Sequence, residues 1–205
     1  MTKTSWNKGK SVGQKKGFTP RQIEMIREFL INQNKTMELA LFNLGIDTML
    51  RYSDVSKLKV EDVIDWKGNI KDEINLKQKK TSQSHLVLLS DQTKKSVKNW
   101  IDEANKFEED YLFTGKKRNG KPRRDKLSHT TYSKMVKEWA KYLHLDPKDY
   151  STHSLRRTRA SFMYKQGVGL PIIMRLLGQK SIESTKEYLG IEQEEAFEIG
   201  KMYMI

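Results

Sequence analysis

Ser151 to Ile191 reads STHSLRRTRASFMYKQGVGLPIIMRLLGQKSIESTKEYLGI. His153 and Arg156 stand three residues apart, so on a helix they share one face. Gly169-Leu170-Pro171 restarts a helix, because proline suits a first turn. The apolar run Ile172, Ile173, Met174, Leu176, Leu177 predicts a buried helix that stops at Gly178. Tyr188 follows ten positions after that glycine. A His-x-x-Arg, a short buried helix, a Leu-Gly-Gln turn and a tyrosine thus come in a fixed order.

Around this stretch lie 205 residues, enough for one substantial domain and too few for two large ones. Hydrophobic content of 36% and charged content of 32% suit a globular protein with a heavily solvated surface. No run approaches a membrane span, and no apolar segment follows the basic N-terminus as a secretory signal would require. Cysteine is absent, which excludes disulfides and thiolate metal sites. A cytoplasmic, nucleoid-associated protein is expected. The net charge of +13 points to a polyanionic partner, without separating DNA from RNA or an enzyme from a passive binder.

Residues 1–17 carry five lysines and no acid, a basic arm suited to a phosphate backbone unless Trp6 anchors it to the core. Thr19, Pro20 and Gln22 form a helix start with a capping box, and Phe18 and Ile23 are placed for a hydrophobic staple. Ile23, Ile26, Phe29 and Leu30 mark the inner side of that helix. Met37 to Leu50 predicts a second, strongly apolar helix at the centre of the core. From Lys59 to Ser90 the pattern changes to three strands, at Val60–Ile64, Ile70–Leu76 and His85–Leu89, with a polar hairpin over residues 77–84. Asp91 to Phe107 is an amphipathic helix.

Between Lys116 and Lys126 stand seven Lys or Arg and one acid, either a solvated charge run or a loop on the DNA backbone. Lys116, Lys117, Arg118, Lys121, Arg123 and Arg124 are its candidate contacts. Helix 129–144 follows, with Tyr132, Met135, Val136, Trp139, Ala140 and Leu143 as its core stripe. Thr130, Thr131, Lys134 and Lys137 are candidate groove readers on it. Arg157 and Arg159 are candidate DNA contacts beside Arg156. No Gly-x-x-x-x-Gly-Lys-Ser/Thr loop and no metal-ligand spacing among the four histidines occur, so no cofactor and no metal are expected.

The stretch from Ser151 to Ile191 resembles the C-terminal signature of the tyrosine recombinases, or phage integrase family. The resemblance extends from about Thr19 to the tail. It implies an α+β fold, mainly α-helical with a small antiparallel three-stranded sheet, like the catalytic domains of tyrosine recombinases and type IB topoisomerases. It also implies roles. Tyr188 would be the nucleophile that becomes joined to a 3′ phosphate of DNA. Arg51, in a Leu-Arg-x-x-Asp pattern, and Arg156 would clamp the phosphate, with Asp54 in support. His153 would assist proton transfer or bond the phosphate. Lys80 would protonate the leaving oxygen, with Lys77 and Lys79 as rivals on the same hairpin. Gln179 departs from the family, which usually has histidine, sometimes tryptophan, at this position. Its amide can donate a hydrogen bond but cannot titrate near neutrality.

This chemistry suits those residue types. Two guanidiniums are forked, always-charged donors that match phosphate oxygens, and a phenol needs help to lose its proton. The bond energy kept in a phosphotyrosine allows a 5′ hydroxyl to reseal the strand without ATP or metal. The expected partition is a basic arm over 1–17, a catalytic domain over 18–191 and a tail helix over 192–205. The tail packs on its own domain or docks on a neighbouring protomer. The chain starts near its catalytic domain and so resembles the short recombinases that lack a separate N-terminal domain.

Double-stranded DNA, further copies of the chain as a dimer or tetramer on DNA, and an accessory DNA-bending protein are the implied partners. The expected function is site-specific recombination by integration, excision, inversion or resolution. A DNA-binding regulator that kept the fold without turnover is the alternative. A basic RNA-binding protein would explain the charge but not the ordered set of residues.

Overall fold

The computed structural model describes residues 14–77, 84–115, 125–190 and 201. Helix α1 (Pro20–Asn32) opens with the expected box: Thr19 Oγ1 accepts from the Gln22 amide at 3.3 Å, and Gln22 Oε1 accepts from the Thr19 amide at 2.9 Å. Ile26 and Leu30 are buried, with Ile23 and Phe29 partly buried against the same core. Phe18 goes deeper than a staple requires, stacking on Tyr150 at 4.8 Å.

Helix α2 (Thr36–Thr48) is the axis of the core, for every residue from Ala40 to Ile46 is buried. Gly45 is where two other helices approach it. A Cβ there would meet Leu155 Cδ1 at 2.7 Å and the Tyr132 hydroxyl at 3.0 Å. Deep in the same core the Trp139 indole donates to Glu38 Oε2 at 3.0 Å, satisfying a carboxylate that is only 5% exposed. Trp139→Phe keeps most of the apolar volume but removes that donor. It should lower stability by about 1–3 kcal/mol in urea titrations.

After the short helix α3 (Tyr52–Val55) the chain departs from expectation. Val60–Val63 is a helical turn, α4, rather than a strand. Val60 and Val63 are both buried, and a spacing of three puts both on one side of a helix but on opposite faces of a strand. Asp62 Oδ2 accepts from the Lys59 amide at 2.8 Å, which closes the turn. Among the described residues the sheet is therefore two-stranded, not three-stranded. β1 (Glu73–Lys77) pairs antiparallel with β2 (Ser84–Leu88), from Glu73 opposite Leu88 to Lys77 opposite Ser84. Ile64 and Ile70 make an isolated bridge instead of a third strand. The tip of the hairpin lies outside the described residues.

Helix α5 (Asp91–Glu103) is capped by Ser90 and ends before the expected Phe107, at a left-handed Asn105 with φ of 48°. Helix α6 (His129–Tyr142) buries Tyr132, Met135, Val136, Trp139 and Ala140, and the turn after it places His144 at φ of 57°. A 3-10 turn at Pro147–Asp149 leads into α7 (Thr152–Lys165), α8 (Leu170–Leu177) and α9 (Ile182–Leu189). With Met49 from the end of α2, these three form a smaller core of Met49, Ala160, Ile173 and Leu177, against which Met163, Val168, Leu176, Tyr188 and Leu189 pack.

The described end of the basic arm is docked rather than free. The Lys16 amide donates to the Asp149 carbonyl at 2.9 Å, and Lys16 Nζ pairs with the Asp149 carboxylate at 2.7 Å. The Phe18 amide reaches Thr158 Oγ1 at 2.9 Å. The rest of the arm, with Trp6, and nearly all of the C-terminal tail lie outside the described residues.

Candidate active site

The smaller core carries the candidate site. Ser151 caps α7, its Oγ accepting from the His153 amide at 3.2 Å, so His153 and Arg156 sit in the first turns of one helix. Arg156 points inward and is only 2% exposed. Its guanidinium donates to the Met49 carbonyl and, at 2.5 Å, to the Leu177 carbonyl. Met49 is left-handed, with φ of 49°, a conformation that a side chain this size seldom takes. That turn ends α2, presents the carbonyl to Arg156, and delivers Arg51 to the N-terminus of α3.

Tyr188, on α9, closes the cluster. Its ring lies 5.7 Å from the Arg156 guanidinium carbon and 4.9 Å from that of Arg157. Its hydroxyl donates to the His153 carbonyl at 3.3 Å. The field reflects this crowding. Burial pushes the Tyr188 phenol above its usual value near 10, opposed by Arg156, Arg157 and Arg51. Burial also lowers Arg156 to about 10, which Tyr188 resists and Arg51 aggravates, and Asp54 resists it too. At neutral pH Arg156 remains charged. Arg51, His153, Arg156 and Tyr188 therefore share one electrostatic neighbourhood, with buried Asp54 beside it.

His153 is exposed at the edge of the site, yet partial desolvation there and the charges of Arg156, Arg51 and Arg157, with His129 adding to them, hold it below its ordinary 6.5. Its imidazole should thus be neutral at pH 7, with an NMR titration midpoint below 6.5. The unfolded chain binds this proton more readily, so the contribution to stability is present above 6.5 and lost as the pH falls below it.

Gln179 follows a left-handed Gly178 with φ of 58°. The Gly178 amide donates to Arg175 O at 2.9 Å and the Gln179 amide to Met174 O at 3.0 Å, which closes α8 tightly. The Gln179 side-chain oxygen lies 2.7 Å from Thr185 Oγ1. Nothing in the sequence reading singled out Thr185, and its only signal was its place three residues before Tyr188.

Other candidates fall elsewhere. Arg157 does not face outward. It donates to the Lys15 and Tyr188 carbonyls, tying the N-terminal segment to the helix of the tyrosine. Arg159 donates to the Asp47 carbonyl. The sequence offered Arg157 and Arg159 as candidate DNA contacts; in the fold each bonds a backbone carbonyl. On α6, Thr130, Lys134 and Lys137 are exposed, while Thr131 pairs with the capping Ser128 hydroxyl at 2.8 Å. Lys77 ends β1. Lys79 and Lys80, and Lys116, Lys117, Arg118, Lys121, Arg123 and Arg124, lie outside the described residues. Among the described residues no three His, Asp or Glu side chains gather as a metal site, and no helix is long and apolar enough to cross a membrane.

The sequence profile of the phage integrase family matches residues 16–195. The chain belongs to this family. Within it, the chain is 27% identical over 173 residues to the probable integrase/recombinase YoeC of Bacillus subtilis (strain 168), covering 84% of this chain and 87% of that one. It is 28% identical over 191 residues to the tyrosine recombinase XerA of Pyrococcus horikoshii, covering 91% of this chain and 62% of that relative. The chain thus spans about three fifths of the length of that XerA relative.

The crystal structure of XerA recombinase superposes with a TM-score of 0.71 at 20% identity, over 94% of this chain and 64% of the other. A post-cleavage complex of the XerH site-specific recombinase on palindromic difH DNA gives 0.70 at 18% identity, over 91% and 52%. The fold is that of tyrosine recombinase catalytic domains, mainly helical with a two-stranded antiparallel sheet. Structural homologues are solved bound to DNA, and one of them, lambda integrase, as a dimer on a core site.

Proposed function

We propose that this member of the family is a site-specific DNA recombinase that cuts and rejoins double-stranded DNA through a 3′-phosphotyrosine. The observation that carries the reading is the Tyr188 ring lying against the buried Arg156 guanidinium, its centroid 5.7 Å from the guanidinium carbon, with Arg51 acting on both and on His153.

In this reading Tyr188 attacks the phosphorus, and the 5′ oxygen leaves with a proton. Two of the five Arg156 donors hold Met49 and Leu177 and the guanidinium also bonds the Tyr188 side chain, so its remaining donors are the ones that phosphoryl oxygens would take up. Arg51 supplies the second fork, and Asp54 favours the charge of Arg156. Neutral His153 can accept or relay a proton, and Gln179 donates to a phosphoryl oxygen. Lys80 is assigned as the acid for the leaving oxygen on the residue pattern alone. Exposed Lys134 and Lys137 fit backbone contacts, which position a duplex without specifying it. Further copies of the chain on one DNA would supply the second strand for exchange.

Covalent trapping tests the proposal. The protein is incubated with nicked DNA carrying sequences that flank its own gene, without metal, and separated on denaturing gels. The expected product is a protein–DNA adduct whose peptide map places the DNA on α9. Tight binding to that DNA without any adduct would instead support the non-catalytic regulator.

A further inference from the structure

Gln179 brings an amide to a place where orientation decides its value, because one branch of an amide donates and the other accepts. Its backbone is fixed by the two hydrogen bonds that close α8. What remains is rotation of the side chain. Thr185 is fully buried, and its Oγ1 lies 2.7 Å from Gln179 Oε1 and 3.1 Å from the Ser181 carbonyl.

A hydroxyl has one proton to give. The contact at 2.7 Å has the usual length of an O–H···O bond, whereas 3.1 Å is long for one. The proton therefore goes to Gln179, and the side-chain oxygen is the atom held. The NH₂ branch then points away from Thr185, offering donors and no acceptor.

We propose that Thr185 is a positioning residue whose hydroxyl holds the Gln179 side-chain oxygen, so that the NH₂ is presented to an anionic oxygen of the reacting phosphate. The inference rests on the recombinase reading for its phosphate, and on the geometry of the DNA-free protein for the orientation itself. Without the hydroxyl the amide can turn, and its oxygen would then face the phosphate and repel it.

Two measurements separate these parts. In the DNA-free protein, ¹⁵N relaxation of the Gln179 side-chain NH₂ should show restricted motion in wild type and Thr185→Ser, and free motion in Thr185→Val. Equal order in all three overturns the proposal. In single-turnover trapping, Thr185→Val should slow adduct formation about tenfold, a change of the order of one hydrogen bond, and Thr185→Ser should recover most of it. In a Gln179→Ala background the Val substitution should change the rate less than about twofold, since the coupled partner is already gone. Equal slowing in both backgrounds would show that Thr185 acts through the fold alone and would overturn the proposal. If wild type forms no adduct, the recombinase reading fails, and the relaxation data still decide whether Thr185 holds the amide.

Discussion

Tyr188→Phe should form no covalent adduct with nicked DNA while folding as the wild type does. The two effects separate because the hydroxyl contributes little to the fold. Its hydrogen bond to the His153 carbonyl is 3.3 Å long, at the weak end of the range, and the Arg156 side chain that also bonds it keeps its two carbonyl partners. The ring contacts beneath Arg156 and Arg157 survive in phenylalanine. Urea midpoints should therefore place the variant within about 1 kcal/mol of wild type. DNA affinity in gel-shift titrations should also be retained. The chemistry has no such reserve, since phenylalanine has no nucleophilic atom.

The wild type should trap DNA faster as the pH rises above 7. Burial keeps the phenol above its usual value, so the deprotonated fraction grows throughout that range. An adduct that persists in the Phe variant would move the nucleophile to another residue.

Arg156→Ala should fail on both counts. The guanidinium bridges the ends of α2 and α8 by bonding the Met49 and Leu177 carbonyls. Leaving two buried acceptors unsatisfied costs about 2–6 kcal/mol in total. It would also release the left-handed Met49 turn that positions Arg51. Loss of one charged donor to the phosphoryl oxygens typically slows such a step by about 10²–10³.

Arg156→Lys is the sharper variant. It keeps the charge but presents a compact ammonium in place of a planar fork, so it should not bridge both carbonyls and bond a phosphate together. Single-turnover trapping with urea denaturation on the same samples would separate the two losses. An Ala variant as stable as wild type would mean that the bridge is not structural.

Local chemistry was readable where it is dictated within a few residues. The Thr19–Gln22 box, the Gly178 stop and the proline near the start of α8 each depend on neighbours three to five positions away, and each is present. The Val60–Val63 segment was misread because four residues rich in valine satisfy a strand pattern as easily as a helical turn. Only the shared burial of Val60 and Val63 and the Asp62 cap separate the two. The carbonyl partners of Arg157 and Arg159 were out of reach for a related reason. A charged residue next to a site looks like a surface contact until the carbonyls awaiting it are placed.

The residues by themselves determined the longer helices α1, α2, α5, α6 and α8, the α1 capping box and the Gly178 stop, the basic character and the order Arg51, His153, Arg156, Gln179, Tyr188, because propensity, capping and spacing act along the chain. Tertiary structure alone decided that Arg156 locks two helix ends, that Arg157 joins the N-terminal segment to the tyrosine's helix, and that Thr185 faces Gln179. Buried hydrogen bonds are chosen by which unsatisfied carbonyls and amides the packing brings within reach, and those partners lie up to 142 positions apart in the chain.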